Sequence, residues 1–318
     1  MTADAARPAS RPAPGSAADA RSPRFGVAMM MASVFLFAIM DATVKWLGDS
    51  YPTSHIVLFR CAAALPVVWI FVIRAGGAAS LRTRRPGVHL LRSLFGLSAM
   101  GLAFWAFSQM RLADAVAILF AAPLFMTALA APLLKEPVGP RRWTAVLLGF
   151  VGVLVVVNPG AGVLTVGAWA ALAAAILMAL AMITIRKLSS TEPASTIAFY
   201  FTVTGSLLGL GWALADGWRA PAGVDLALLL AVGVVGALAQ YAMTLAFRHA
   251  EVAQVAPLEY GALIWTSLIG YLVWAEIPEA RVWIGAAIII GSGLYMLYRE
   301  RRVGEVRRLR LPRLRGRA

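Results

Sequence analysis

The sequence predicts an all-α membrane protein with ten transmembrane helices in two inverted five-helix repeats, and three observations predict it. The first is composition: of 318 residues, 60% are hydrophobic and only 14% charged. Apolar runs repeatedly reach the ~20 residues that cross a bilayer. They are continuous Leu/Ala/Val stretches without the alternation of barrel strands, so helices satisfy the backbone in hydrocarbon. The second is an internal echo. At a spacing of 141 residues Gly26, Ala32, Thr43, Pro52 and Ser54 recur as Gly167, Ala173, Thr184, Pro193 and Ser195, and Lys45 recurs as Arg186. At a spacing of 140, Ala106-Phe107 recurs as Ala246-Phe247, Ala113 as Ala253, Glu136 as Glu276 and Trp143 as Trp283. The third is the placement of positive charge. With both termini cytoplasmic, only Lys45, Arg60, Arg111, Arg219 and Arg281 of the 29 Lys and Arg fall outside the cytoplasmic segments. Five spans per half, an odd number, insert the second half upside down, which is the layout of secondary transporters.

The elements follow in order. Residues 1–23, rich in Ala, Pro, Ser and Arg, read as a disordered cytoplasmic tail. They hold no short apolar core of a cleaved leader, so the first span is expected to serve as an uncleaved targeting signal. The spans are expected near 25–47, 54–74, 88–109, 112–134 and 143–158 in a first repeat (24–160). The second repeat (161–298) is expected to span near 166–187, 195–215, 224–247, 252–275 and 281–298. Gly/Pro or charged residues punctuate the short connections, as at Asn158-Pro159-Gly160 and Asp216-Gly217. The second-to-third loop carries Arg82, Arg84 and Arg85, whereas its repeat equivalent near Asp216 and Asp225 has one Arg, which supports opposite insertion. Residues 299–318 form a basic tail, expected to act as an orientation signal resting on anionic lipid.

The formal net charge of +14 invites a nucleic-acid reading. That charge concentrates in tails and alternate loops, without a folded module or interleaved aromatics, so no nucleic acid is expected. Cys61 stands alone in an apolar run, which excludes a disulfide framework and points to a small packing residue. His55, His89 and His249 have no metal-ligand spacing and read as solvated residues near span ends. No metal or cofactor is expected, and no nucleophile or acid–base constellation suggests an enzyme.

The close of each half carries a recognisable pattern. Leu134-Lys135-Glu136-Pro137, then Trp143 and Gly149-x-x-Gly152-Val153, is matched by Trp274-Ala275-Glu276-Ile277-Pro278, Trp283-Ile284-Gly285 and Gly291-x-Gly293. This resembles the signature closing each repeat of EamA-type carriers in the drug/metabolite transporter superfamily, over residues 25–298. Thr144 departs from it, since the family often has Gly there. The resemblance implies ten helices in two inverted repeats and carrier activity. It also implies a cavity lined by spans one to four and six to nine, with spans five and ten bracing. Phe37-Ala-Ile-Met-Asp41-Ala-Thr-Val-Lys45-Trp46 and Leu58-Phe59-Arg60 look like a branch that includes S-adenosylmethionine and riboflavin carriers.

Ionisable groups inside a bilayer mark candidate sites, because a central Arg or Asp costs roughly 2.5–3.5 kcal/mol on an insertion scale. Asp41 and Arg60 each lie six residues from the outer end of their spans, roughly 9 Å deep, and Lys45 follows Asp41 at i+4. The trio is expected either to grip an anionic or zwitterionic substrate, with proton exchange at Asp41, or to form a structural ion pair with Lys45 snorkelling. Glu259, beside Pro257 in span nine, where the proline is expected to loosen the backbone and favour a kink, is the second candidate, with Arg92 as its expected partner. Gln240, Tyr241, Trp105 and Trp265 are candidates for contact with a ring-bearing substrate. Glu136 and Glu276 are expected to fix equivalent turns. The expectation is an inner-membrane carrier of a small polar or amphiphilic metabolite, S-adenosylmethionine or riboflavin-like, with export of amino acids or drugs and a non-transporting scaffold as the competing readings. Its partners are a small-molecule substrate and membrane lipids, and monomer and homodimer both fit.

Overall fold

The computed structural model describes residues 22–134, 140–158 and 166–310, all of it helix and connection without a strand. In chain order the helices are α1 (Pro23–Leu47), α2 (Thr53–Ala62), α3 (Leu65–Arg74), α4 (Pro86–Gln109), α5 (Leu112–Leu119), α6 (Ala122–Leu134) and α7 (Pro140–Val157). The second half contributes α8 (Val166–Leu188), α9 (Ala194–Ala215), α10 (Gly223–His249), α11 (Val252–Val255), α12 (Ala262–Trp274) and α13 (Ala280–Arg310). Short 3-10 turns cover Gly77–Leu81 and Ala256–Gly261.

Ten spans emerge from thirteen helices because three spans are interrupted. The second breaks at Ala63–Ala64 ahead of Pro66, and the fourth at Phe120–Ala121 ahead of Pro123. The ninth passes through the 3-10 turn that holds Pro257. Each proline lacks an N–H and crowds the preceding turn, so the ladder opens there. Seven segments are long and apolar enough to cross a bilayer by themselves, two of them being α2–α3 and α5–α6 taken together. The fifth and tenth spans are shorter apolar helices, Trp143–Val157 and Ala280–Met296. The sequence reading placed only the break near Pro257. It also ended the last span at residue 298 with a basic tail beyond, whereas α13 continues as helix to Arg310. Residues 1–21, 135–139 (with Glu136), 159–165 and 311–318 lie outside the described residues.

The helix pairing carries the symmetry of the duplication. The most extensive pairs are α1 with α10 and α4 with α8, which exchange under repeat equivalence. The pairs α2 with α9 and α7 with α13 each join a helix to its own counterpart, and α5 with α12 joins the equivalent fourth and ninth spans. A two-fold axis in the membrane plane produces this pattern. Hydrogen bonds repeat it. The Arg219 N–H donates to His55 Nε2 at 3.0 Å, and Thr196 Oγ1, 141 residues after His55, donates to the Ser80 carbonyl at 2.8 Å.

Small residues let the helices approach. A Cβ on Gly152 would lie 2.8 Å from the Gly285 carbonyl oxygen, and one on Gly285 would lie 2.7 Å from that of Gly152, so α7 and α13 touch backbone to backbone. Alanine dominates the buried residues, while Leu147, Leu148, Leu154, Leu207, Leu208 and Leu214 face outward as hydrocarbon-facing surface.

Candidate functional site

Two half-buried arginines meet the middle of the bundle on glycines related by the repeat. Gly96 and Gly236 are 140 residues apart and sit near the midpoints of α4 and α10. The Arg60 guanidinium lies on Gly236: a Cβ there would stand 2.5 Å from Nε and 2.6 Å from Nη2. Arg92 reaches along its own helix to Gly96, whose absent Cβ leaves room for Nη1. Its guanidinium stacks 4.2 Å over the ring of Phe201. Gly96 lies ten residues into α4, about 15 Å and half the hydrocarbon thickness, so Arg92 points toward mid-membrane and does not snorkel.

Neither guanidinium is saturated. Arg60 Nε and Arg92 Nε and Nη1 are buried without a hydrogen-bond partner. Asp41 is within electrostatic reach of Arg60, yet the two form no ion pair. Cys61 lies within reach of both arginines and packs on Gly205, one helical turn beyond Phe201. Two first-repeat guanidiniums with unsatisfied donors, one of them seated on the second repeat's Gly236, can bind the oxygens of a solute.

The structure does not bring the expected trio together. Lys45 Nζ pairs with Glu276 Oε1 at 2.6 Å, donates to the Met110 carbonyl at 2.7 Å and stands 5.4 Å from the Trp274 ring centroid. Asp41 and Lys45 share a helix face, but the turn between α12 and α13 offers Lys45 a carboxylate that Asp41 does not match. Glu276 Oε2 also accepts from the Leu112 N–H at 3.1 Å, so its side chain caps α5 and bonds α1, with no hydrogen bond to its own turn among the described residues. Arg111 extends this end of the bundle by pairing with Asp114 and Glu279, both at 2.8 Å, and by donating to the Ile277 carbonyl.

Glu259 makes no ion pair with Arg92 and no hydrogen bond among the described residues; its turn packs on α1 while Arg92 turns to Phe201. The neighbouring Tyr260 meets Phe120 edge to face at 5.1 Å. These two rings are 140 residues apart and join the breaks of the fourth and ninth spans. Trp105 packs on the apolar cluster around α5, α7 and α8, and Trp265 lies 4.8 Å from Phe35 against α1. Tyr241 stacks on Phe71 at 4.6 Å. Gln240 is exposed, although it stands about 200° around α10 from the exposed Leu238. Its exposure is thus to the interior. Gln240, Thr244 and Phe247 form an open strip running from the arginines toward the His249 end, while the opposite end is closed by the Lys45–Glu276 and Arg111–Glu279 pairs.

Two histidines also depart from expectation. His55 is 0% exposed and His89 2%, because His55 receives the Arg219 N–H and His89 lies 3.5 Å from Glu192, which also accepts from Thr83. Among the described residues no group of three His, Cys, Asp or Glu is placed to hold a metal.

Residues 24–158 and 165–298 each match the EamA-like transporter family. The chain belongs to that family. It is 32% identical over 274 residues to a riboflavin transporter of Vibrio cholerae, covering 85% of this chain and 92% of that one. It is 30% identical over 269 residues to the pseudopaline exporter CntI of Pseudomonas aeruginosa (83% and 93% covered). It is 28% identical over 279 residues to an S-adenosylmethionine uptake transporter of Rickettsia prowazekii (87% and 94% covered). A crystal structure of a protein 21% identical in sequence shares the fold with a TM-score of 0.61, covering 87% of this chain and 99% of its own. The EamA relatives are transporters, not enzymes, and this chain is a multi-pass membrane transporter of the same family. Gly96 and Gly236, and Phe120 and Tyr260, were open to a repeat comparison at spacing 140. The stacking of Arg92 on Phe201 had no sequence signal.

Proposed function

We propose that this EamA-family protein is a secondary transporter that moves a small polar or amphiphilic metabolite across the inner membrane by alternating access. The observation that carries the reading is the pair of unsaturated guanidiniums, one resting on each repeat's mid-helix glycine, beside a strip open toward one end only. In this reading both termini are cytoplasmic, the Lys45–Glu276 end faces outward, and the open strip faces the cytoplasm. The boundaries 24–160 and 161–298 mark the two moving repeats, and the basic segment after residue 298 rests on anionic lipid. Asp41 and Glu259 are the acids placed to exchange a proton. Arg60, Arg92 and Gln240 contact substrate, whereas Lys45 holds the outer end closed, and Trp105, Trp265 and Tyr241 shape the cavity wall.

The names of the relatives make riboflavin and S-adenosylmethionine the first substrates to test, and the pseudopaline exporter keeps export open as a second reading. The test is uptake by proteoliposomes of riboflavin, S-adenosylmethionine and a set of amino acids, with and without a pH gradient. The expected result is saturable flux of one panel member that is lost in both Asp41→Asn and Arg60→Ala. Flux retained in both variants would remove the site from this position, and a folded protein that moves nothing in either direction would favour a scaffold.

A further inference from the structure

We infer that Arg60 and Arg92 form a two-point reader for a solute that is uncharged or anionic and rich in oxygen acceptors, and that the same pair rejects net-cationic solutes. The inference rests on the carrier reading and narrows its substrate. Arg92 has no carboxylate partner among the described residues, and Asp41 stands near Arg60 alone. The site therefore keeps an uncompensated guanidinium at mid-membrane depth, where a charge without a partner is costly. A substrate oxygen would supply that partner on arrival.

The geometry adds shape to charge. Phe201 covers one face of the Arg92 guanidinium and fixes its plane, while Nε and Nη1 are enclosed without a partner. Arg60 is flattened on Gly236 in the opposite repeat, with Nε unfilled. Two planar forks on separate helices, α2 and α4, suit a solute carrying acceptors at two places, such as ring carbonyls at one and a hydroxyl or carboxylate at the other. S-adenosylmethionine brings a sulfonium and an ammonium against one carboxylate, a net cation, into this field, and Asp41 is the sole acid near the pair among the described residues. Riboflavin brings an uncharged ring with two carbonyls.

The test compares proteoliposome uptake of riboflavin, glutamate and S-adenosylmethionine by the full chain, by Arg92→Met, by Arg92→Lys and by Phe201→Leu. Thermal unfolding in detergent verifies that each variant is folded. The expected result is uptake of riboflavin or glutamate in clear preference to S-adenosylmethionine. Arg92→Met raises KM for that solute at least tenfold, and Arg92→Lys and Phe201→Leu fall between it and the wild type. Preferred uptake of S-adenosylmethionine, or a KM unchanged in Arg92→Met, would overturn the inference and leave the carrier reading standing. No saturable uptake of any of the three would overturn both.

Discussion

Glu279 sits on the closed end, gripped by Arg111 and Arg281, and these hydrogen bonds hold its carboxyl below the usual glutamate range. A depressed folded pKa makes the contribution fully present above the ordinary glutamate value of ~4.3, and it is lost as pH falls through the lowered one. The thermal midpoint of wild type should therefore lose its advantage over Glu279→Gln as pH falls below about 4, a comparison that detergent unfolding scans can read. Lys45 and Glu276 are more deeply placed, with side chains 10% and 19% exposed. Lys45→Met alone leaves a carboxylate in an enclosed site and should cost about 3 kcal/mol, whereas Lys45→Met with Glu276→Gln should cost less than either alone. At this scale the sequence showed which residues were unusual, since Asp41, Arg60, Arg92 and Glu259 interrupt apolar runs. It did not show their partners. Glu276 is 231 residues from Lys45, and nothing local to either one links them.

Helix contacts decide the next set of outcomes. A Cβ at Gly236 meets the flexible end of Arg60, so Gly236→Ala should fold normally while displacing the guanidinium, and uptake should fall about tenfold. A Cβ at Gly152 or Gly285 meets backbone carbonyls, which cannot move aside. Gly152→Ala should therefore destabilise the α7–α13 pair by about 1–3 kcal/mol, measured as a lower midpoint in detergent with little change in KM of the surviving protein. Span number and position were legible because the 20-residue apolar run is a strong signal. The breaks were less so, because proline marks a weakened turn without saying whether neighbouring helices keep it straight. Pro66 and Pro123 interrupt their spans as Pro257 does, yet only Pro257 drew attention.

The whole molecule is two similar halves meeting across an axis in the membrane plane, and the duplication was legible from residues such as Thr43 and Thr184. The repeat does not specify where symmetry fails, and the candidate site is such a place: Arg60 has Phe201 as its counterpart at spacing 141, and Arg92 has Val232 at spacing 140. The central claim is that this mid-membrane site is exposed to each side in turn. Gln240, exposed on the interior face of α10 and one turn from Gly236, reports on it directly. In a Cys61→Ala background, Gln240→Cys would be labelled with an impermeant maleimide from either side of sealed, oriented vesicles, before and after adding the transported solute. Alternating access predicts reaction from both sides, with solute changing the two rates in opposite senses. Reaction confined to the His249 side under every condition would contradict it.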